Sequence, residues 1–259
     1  MLGLLGAVAL GCCLPVALVG SVAGASTPTT VAGGVAAGST TSSPAGSTAK
    51  ALVTSAVAAA MGQKSVHYVE RAAAGKQSVS VVGDVSPTKG RQTITVRDGS
   101  SVGHVEGLYT GGRVYFRGDE YGLGSYLGMP TNLARKYAMV WIVFAPSDSG
   151  FAQTAKQFTV AGPLSEISLS GKLSVVRTTT VDATAVTVVR GRTGALSSKG
   201  RSGTGTLYVT NDGKTLPVRF TGKGREAAGA SSGQVDFSRW GEPVEVKAPG
   251  GAIPASKVA

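Results

Sequence analysis

The chain has 259 residues, a net charge of +11, two cysteines and two histidines. Both cysteines, Cys12 and Cys13, lie in an apolar N-terminal segment, so the rest of the chain has no thiol for disulfides, zinc sites or nucleophilic catalysis. A domain outside that segment must therefore be stabilised by its hydrophobic core, for which about 200 residues are sufficient.

The N-terminal segment, residues 1–25, contains no charged side chain and ends in Ala-Gly-Ala. This pattern predicts an export signal, either cleaved before Ser26 or retained as a membrane anchor. The stretch 8–12 also loosely fits a lipobox, which makes Cys12 a candidate for lipidation. We therefore expect an extracytoplasmic protein, secreted or tethered to the outer face of the cell membrane, and the mode of anchoring stays open.

The next segment, residues 26–48, consists almost entirely of Ser, Thr, Gly, Ala and Pro. Such a composition buries too little apolar surface to offset the entropy of ordering, which predicts a disordered tether. All of the Lys and Arg residues follow it. We predict one folded domain over residues 49–249 and a flexible C-terminal tail over residues 250–259.

The predicted domain opens with a helix and continues with short strands. Apolar residues recur at helical spacing over 49–61, and Gly62 ends the helix. From Val66 the apolar period changes to two, and dipeptides such as Asp98-Gly99 mark turns. The pattern predicts an antiparallel meander that includes strands at 79–81, 93–97 and 112–116.

The middle of the domain is predicted to be helical apart from one short buried strand at 140–144. Pro130 suits the first turn of a helix, and apolar residues recur at helical spacing after it. Helices are predicted at 130–137, 151–158 and 163–169, and the glycine-rich stretch 122–128 is interpreted as a loop.

The last third returns to strands, with a hairpin turn at 211–214, Asn-Asp-Gly-Lys. The order of strands, helices and strands predicts an α+β domain. We expect a curved antiparallel β-sheet, a half-barrel, with its helices packed on the concave face.

Four stretches carry a resemblance to a known family: 112–118, 134–142, 207–219 and 236–244. On these stretches the domain resembles the actinobacterial LppX/LprA/LprF/LprG envelope lipoproteins and the wider LolA-like half-barrel group. The resemblance implies that an acylated lipid or lipoglycan is held in an apolar cavity between the sheet and its helices. It implies no catalytic residue.

Large apolar side chains concentrate in the helical middle, where a half-barrel places its cavity. An ordinary filled core is the alternative interpretation. The residues predicted to contact the ligand, here called the predicted lining, are Phe116, Leu127, Leu133, Tyr137, Trp141, Phe144, Phe151 and Phe158.

Few residues are candidates for catalysis or metal binding. His67 and His104 lie in polar, strand-like surroundings without the spacing of metal ligands, and a Ser-His-Asp triad would have to use one of them. We therefore predict a non-enzymatic protein without a metal or cofactor.

Basic residues dominate the stretch between positions 190 and 225, where Asp212 is the one acidic residue. This asymmetry favours contact with an anionic membrane or cell-wall polymer; solvated strands are the alternative. Nucleic acid is not expected, because export removes that partner and aromatic residues are not interleaved with the basic ones. The basic residues are Arg190, Arg192, Lys199, Arg201, Lys214, Arg219, Lys223 and Arg225.

Together these features predict a monomeric, extracytoplasmic lipid- or lipoglycan-binding carrier of the bacterial envelope. The alternative is a protein-interaction or sensory domain on the same scaffold without a lipid ligand.

Overall fold

The computed structural model describes residues 44–193, 203–226 and 229–258. The predicted leader, Cys12 included, and most of the predicted tether lie outside these residues. The strands are β1 (Val66–Ala74), β2 (Gln77–Val85), β3 (Gly90–Asp98), β4 (Ser101–Thr110), β5 (Arg113–Gly118), β6 (Ile142–Phe144), β7 (Leu169–Val181), β8 (Thr184–Thr193), β9 (Thr204–Thr210), β10 (Pro217–Glu226), β11 (Gly229–Ser238) and β12 (Ile253–Pro254). The helices are α1 (Pro44–Met61), α2 (Glu120–Leu127), α3 (Thr131–Lys136), α4 (Phe151–Gln157) and α5 (Ala161–Leu164), followed by a 3₁₀ turn at Ala255–Lys257.

These strands form one open sheet in the order β12-β6-β5-β4-β3-β2-β1-β11-β10-β9-β8-β7. All pairings are antiparallel except that of β12 with β6. Helix α1 packs on β7, and α2 packs on β4. The predicted α+β class, with helices on one side of a curved antiparallel sheet, is confirmed.

Side chains alternate across each strand, so the sheet has a helix face, which points toward the helices, and an outer face, which points away. On β1, Val66 and Tyr68 are buried on the helix face, whereas Arg71 is exposed on the outer face. Residues opposite one another in register share a face, so Gly83 on β2 and Phe237 on β11, both opposite Tyr68, also point toward the helices. The hydrophobic core lies on this helix face.

Helix α2 occupies the stretch that the sequence pattern placed in a loop. The Asp119 carboxylate caps it, accepting a hydrogen bond from the Gly122 amide at 2.6 Å. A Cβ atom at Gly122 would lie 2.5 Å from the His104 carbonyl oxygen, so glycine permits the helix to lie directly on β4. Burial of Leu123 and Leu127 outweighs the low helix propensity of the glycines, and the loop interpretation was wrong for this reason.

The two ends of the domain are also more ordered than predicted. Helix α1 begins at Pro44, inside the stretch predicted as tether, and proline suits a first helical turn. The stretch predicted as a flexible tail contains β12, where the Ile253 amide donates to the Trp141 carbonyl at 2.8 Å, and Val258 is buried. This segment covers the backbone edge of β6, which explains why it is ordered.

Candidate functional site

The predicted lining lies in the half of the molecule formed by β3–β6 and α2–α4, here called the aromatic half. Phe116 packs edge-on against Phe144 and Phe158, with ring centroids 5.8 and 5.6 Å apart. Phe144 and Phe151 pack against the core, partly buried, and Trp141 lies 4.8 Å from the Arg117 guanidinium. The buried members are Phe116, Leu127, Leu133, Tyr137 and Phe158. None of these side chains borders the cavity or the groove described below.

The opposite half of the helix face, formed by β8–β11 with β1, has a floor without side chains. Gly191, Gly205, Gly222 and Gly233 lie opposite one another on four adjacent strands, and Gly233 lies opposite Ala72 on β1. Glycine within a strand often marks a place where another group approaches the backbone closely. We call this half the glycine half.

The glycine floor is covered at one end and open at the other. A Cβ atom at Gly191 would lie 2.4 Å from Leu173, and one at Gly205 would lie 2.6 Å from Leu169. At Gly222 the nearest atom to such a Cβ is the Thr193 methyl carbon, at 3.6 Å. The space above the floor therefore widens from β8 toward β10.

A cavity of about 40 Å³ lies at this wider end. Its walls include Phe220 and Val235 from the sheet, and Glu166 and Ser168 from the segment that joins α5 to β7. The carboxylate of Glu70 also borders it. At about 10–15 Å³ for each water molecule, a cavity of this size holds about three waters. In this state it is closed to a larger ligand.

Two buried hydroxyl groups border the cavity without a partner. Thr193 and Ser231 are 4 % and 5 % exposed, and neither Oγ atom has a hydrogen-bond partner in the described part of the chain. A buried hydroxyl without a partner costs about 1–3 kcal/mol, so such groups are rare unless something else satisfies them. Both are positioned to hydrogen-bond a polar group that enters the cavity.

The sequence pattern did not lead us to predict this site, although the sequence contains a signal for it. Glycines inside strands at positions 191, 205, 222 and 233 indicate a close approach to the backbone. Their alignment depends on strand register, which the sequence pattern does not specify.

The outer face carries ion pairs, together with a small apolar cluster of Val181, Val186 and Val188 near β7–β9. The Asp84 carboxylate on β2 lies 2.7 Å from His67 Nδ1 and 2.8 Å from Arg91, and Arg239 joins the same cluster at 3.1 Å. Burial raises the pKa of Asp84, but the hydrogen bonds and charges of His67 and Arg91 outweigh it, so the pKa lies below its ordinary value. His104, the other histidine, lies 3.3 Å from the Thr95 hydroxyl. These groups form a structural cluster on the side of the sheet away from the cavity.

The basic residues predicted to contact an anionic partner also lie on the outer face, with Lys214 in the turn between β9 and β10. Arg219 pairs with Asp182 and Asp236. Lys199 and Arg201 lie outside the described residues. By strand register, the residues on the outer face are Arg190, Arg192, Arg219, Lys223 and Arg225.

Two features are absent from the described residues. These residues contain no group of three or more His, Cys, Asp or Glu side chains placed to hold a metal ion. None of the helices in the same residues combines the length and apolarity needed to cross a membrane.

The structure is similar to two solved mycobacterial proteins. LprF from Mycobacterium bovis superimposes with a TM-score of 0.51 and 16 % identity, covering 79 % of this chain and 98 % of its own. The lipoprotein LppX from Mycobacterium tuberculosis superimposes with a TM-score of 0.46 and 19 % identity, covering 76 % of this chain and 99 % of its own. No family model matches the chain, and no curated protein matches it. The likeness to LprF shows that the chain has this fold, so the resemblance predicted from the sequence is confirmed at the level of the fold.

Proposed function

We propose that the chain is a non-enzymatic carrier that binds an acylated lipid or lipoglycan outside the cytoplasm. The observation that supports this function best is the cavity of the glycine half, which combines a floor without side chains with two buried hydroxyls that lack partners. The apolar leader and the fold shared with LprF are consistent with this role.

Binding requires the cavity to open. Sites for ligands of ordinary size measure about 300–1,000 Å³, far above the present 40 Å³. The segment of Glu166 and Ser168 is the cover that would have to lift, together with Leu169 and Leu173 above the glycines. Each methylene group of an acyl chain that then lay on the glycine floor would contribute about 0.8 kcal/mol from burial.

The polar wall of the cavity favours a headgroup rich in hydroxyls. The Glu70 and Glu166 carboxylates accept hydrogen bonds, and the Thr193 and Ser231 hydroxyls both donate and accept them. Sugar or glycerol hydroxyl groups match this set better than a bare phosphate, which two carboxylates would repel. The proposal therefore favours a glycolipid or lipoglycan within the lipid class.

In this proposal, the residues of the predicted lining contact the far end of a bound acyl chain. Phe220 and Val235, which border the cavity, belong to the same continuous core cluster as Phe116 and Phe158. A long acyl chain that passed the first pair would reach the second after repacking of the core. We propose these contacts only for the open state.

Native mass spectrometry with lipid extraction tests the function. The full chain is expressed with its own leader in an exporting bacterium and released from the envelope with a mild detergent. We expect stoichiometric acylated lipid on the protein. An unliganded mass from protein that also fails to take up added glycolipid would reject the carrier function and leave the interaction domain as the better hypothesis.

A matched pair of variants tests the site. Gly222→Leu projects a side chain into the cavity from a position where a Cβ atom would lie 3.6 Å from its nearest neighbour, and circular dichroism verifies that the variant folds. Gly250→Leu adds the same side chain where no atom lies within 4 Å. We expect at least fivefold less bound lipid for Gly222→Leu and wild-type binding for Gly250→Leu. Full lipid occupancy in a folded Gly222→Leu protein would place the binding site elsewhere.

A further inference from the structure

A second surface, on the outer face, combines a groove with aligned positive charges. The groove has a volume of about 450 Å³ and crosses β10, β11, β1, β2 and β3. Lys223 lies at one end, Arg97 at the other and Arg71 between them. It lies on the opposite side of the sheet from the lipid cavity proposed above, and it does not depend on that function.

Strand register aligns the basic residues on alternate strands. They lie on β8, β10, β1 and β3, and the strands between them carry hydroxyl or other small polar side chains. Adjacent strands are about 4.8 Å apart, so basic positions in one row are about 10 or about 19 Å apart, and the series from β8 to β3 spans about 30 Å. One row is Arg192, Thr204, Lys223, Ser232, Ala73, Ser78 and Arg97, and the next is Arg190, Thr206, Thr221, Gln234, Arg71, Ser80 and Thr95.

Most of these cations are not neutralised by the protein. Arg97, Lys223, Arg190 and Arg192 are exposed and form no ion pair within the residues that the structure describes. Arg71 pairs with Asp236 at 3.3 Å while its own side chain is 60 % exposed. Carboxylates near the groove are Asp236, which Arg219 also contacts, and Asp98 at the end of β3.

Toward β4 and β5, several acidic and basic groups of the outer face are matched. Asp84 pairs with Arg91 and Arg239, and Glu106 pairs with Arg117. The two rows differ from these pairs, because four of their five cations have no ion-pair partner among the described residues. An anion with several charges spread along its length would gain from all of the basic positions at once.

We propose that this groove binds an extended polymer of phosphodiester groups, the chemistry of an anionic cell-wall polymer. Arginine and lysine side chains at its ends and centre suit phosphate oxygens, and Ser78, Ser80 and Thr221 offer hydroxyl donors between them. The groove is recessed and its outer-face lining contains no large apolar side chain, so it suits a narrow chain better than a flat membrane. The lining also lacks aromatic side chains, so it offers no stacking platform for nucleic-acid bases.

Fluorescence anisotropy with a labelled poly(glycerol phosphate) oligomer of about ten repeats measures this binding on the full chain. The test variant is Arg97→Gln with Lys223→Gln. The control variant is Lys50→Gln with Lys156→Gln, which removes the same charge from exposed positions on the helices. Thermal unfolding followed by circular dichroism verifies that both fold.

We expect the groove variant to weaken binding at least tenfold and the control variant to weaken it less than twofold. The slope of log Kd against log salt concentration should fall by about 1.4 in the groove variant, since each neutralised contact to a flexible anionic strand accounts for about 0.7. Inorganic phosphate at the same phosphate concentration should not compete.

Three results would overturn the proposal. Equal losses in the two variants would show that only net charge matters, and the absence of polymer binding by the wild type would remove the ligand. Binding to vesicles of anionic phospholipid with the same dependence on Arg97 and Lys223, without polymer binding, would assign the surface to the membrane. None of these results bears on lipid binding by native mass spectrometry.

Discussion

The aromatic half and the glycine half of the helix face use the same sheet and differ in what lies above it. In the aromatic half, Phe116, Phe144 and Phe158 interlock, and Phe158 is 1 % exposed. In the glycine half, the aligned glycines have no side chain on the helix face. Leu169 and Leu173 of β7 cover only part of these glycines. The first half is packed with aromatic rings, whereas the second leaves a small cavity beside its glycines.

This difference separates stability from binding. Interlocked aromatic side chains lose many contacts when one is removed, because the surrounding structure relaxes only partly. The Thr193 and Ser231 hydroxyls act in a different sense, since without a protein partner they add little to the stability of the empty protein and become useful once a polar group reaches them. Substitutions in the aromatic half should therefore mainly lower stability, whereas substitutions in the glycine half should mainly lower lipid affinity.

The largest expected effect is on stability, from Phe158→Ala in the aromatic half. The Phe158 ring contacts Phe116 and lies against the backbone at Gly107, so its removal leaves a cavity that the sheet cannot close. We expect a loss of about 3–5 kcal/mol in the free energy of unfolding, measured by urea denaturation. Protein that remains folded should still bind lipid through the glycine half. A loss below about 1 kcal/mol would show that the aromatic half is not the packed part of the molecule.

A smaller effect of opposite sign is expected from Thr193→Val with Ser231→Ala in the glycine half. Both changes remove unpaired buried hydroxyls with little change of volume. The free energy of unfolding of the unliganded protein should stay constant or rise by about 1 kcal/mol. Affinity for an added glycolipid, measured by isothermal titration calorimetry, should fall about five- to tenfold. Unchanged affinity would mean that the headgroup lies away from these hydroxyls.

The contrast between the two halves also explains which features could be predicted from the sequence. Alternating residues and turn dipeptides specify strands such as β3 and the β9–β10 hairpin, because period and turn chemistry are local properties. The α+β class and the sheet with helices on one side followed from the order of these elements. Helix α2 was missed because its stability comes from contact with β4 and not from its own glycine-rich sequence.

The site was harder to predict than the fold. Large apolar side chains such as Phe116 and Phe158 stand out in a sequence, and they indicate a core or a lining equally well. Glycines that leave a space above the sheet are not conspicuous in a sequence, because their effect depends on which residues lie opposite them on the neighbouring strands. Gly222 lies opposite Gly205 and Gly233 only in the folded register.

The smallest expected effect concerns the ion cluster that joins the two halves. His67, Asp84, Arg91 and Arg239 connect β1, β2 and β3 with the residue after β11, which is where the halves meet. Because the pKa of Asp84 is lowered in the folded state, its stabilising contribution is present above the pKa of the unfolded state, about 3.9, and is lost as the pH falls through the folded value. Asp84→Asn should cost about 0.5–1 kcal/mol at pH 7, a modest value because Arg91 and Arg239 are largely exposed.

Urea unfolding of the wild type and Asp84→Asn at pH 7 and at pH 3 measures this contribution. The difference between the two proteins should be smaller at pH 3 than at pH 7, because the stabilising contribution of the carboxylate declines once the pH falls below the pKa of the unfolded state. Glu245→Gln, an exposed carboxylate outside the cluster, should show no such convergence. Suppose instead that Asp84→Asn changed the free energy of unfolding equally at both pH values. The cluster would then stabilise the protein through the packing of its side chains and not through their charges, and packing alone would hold the two halves together.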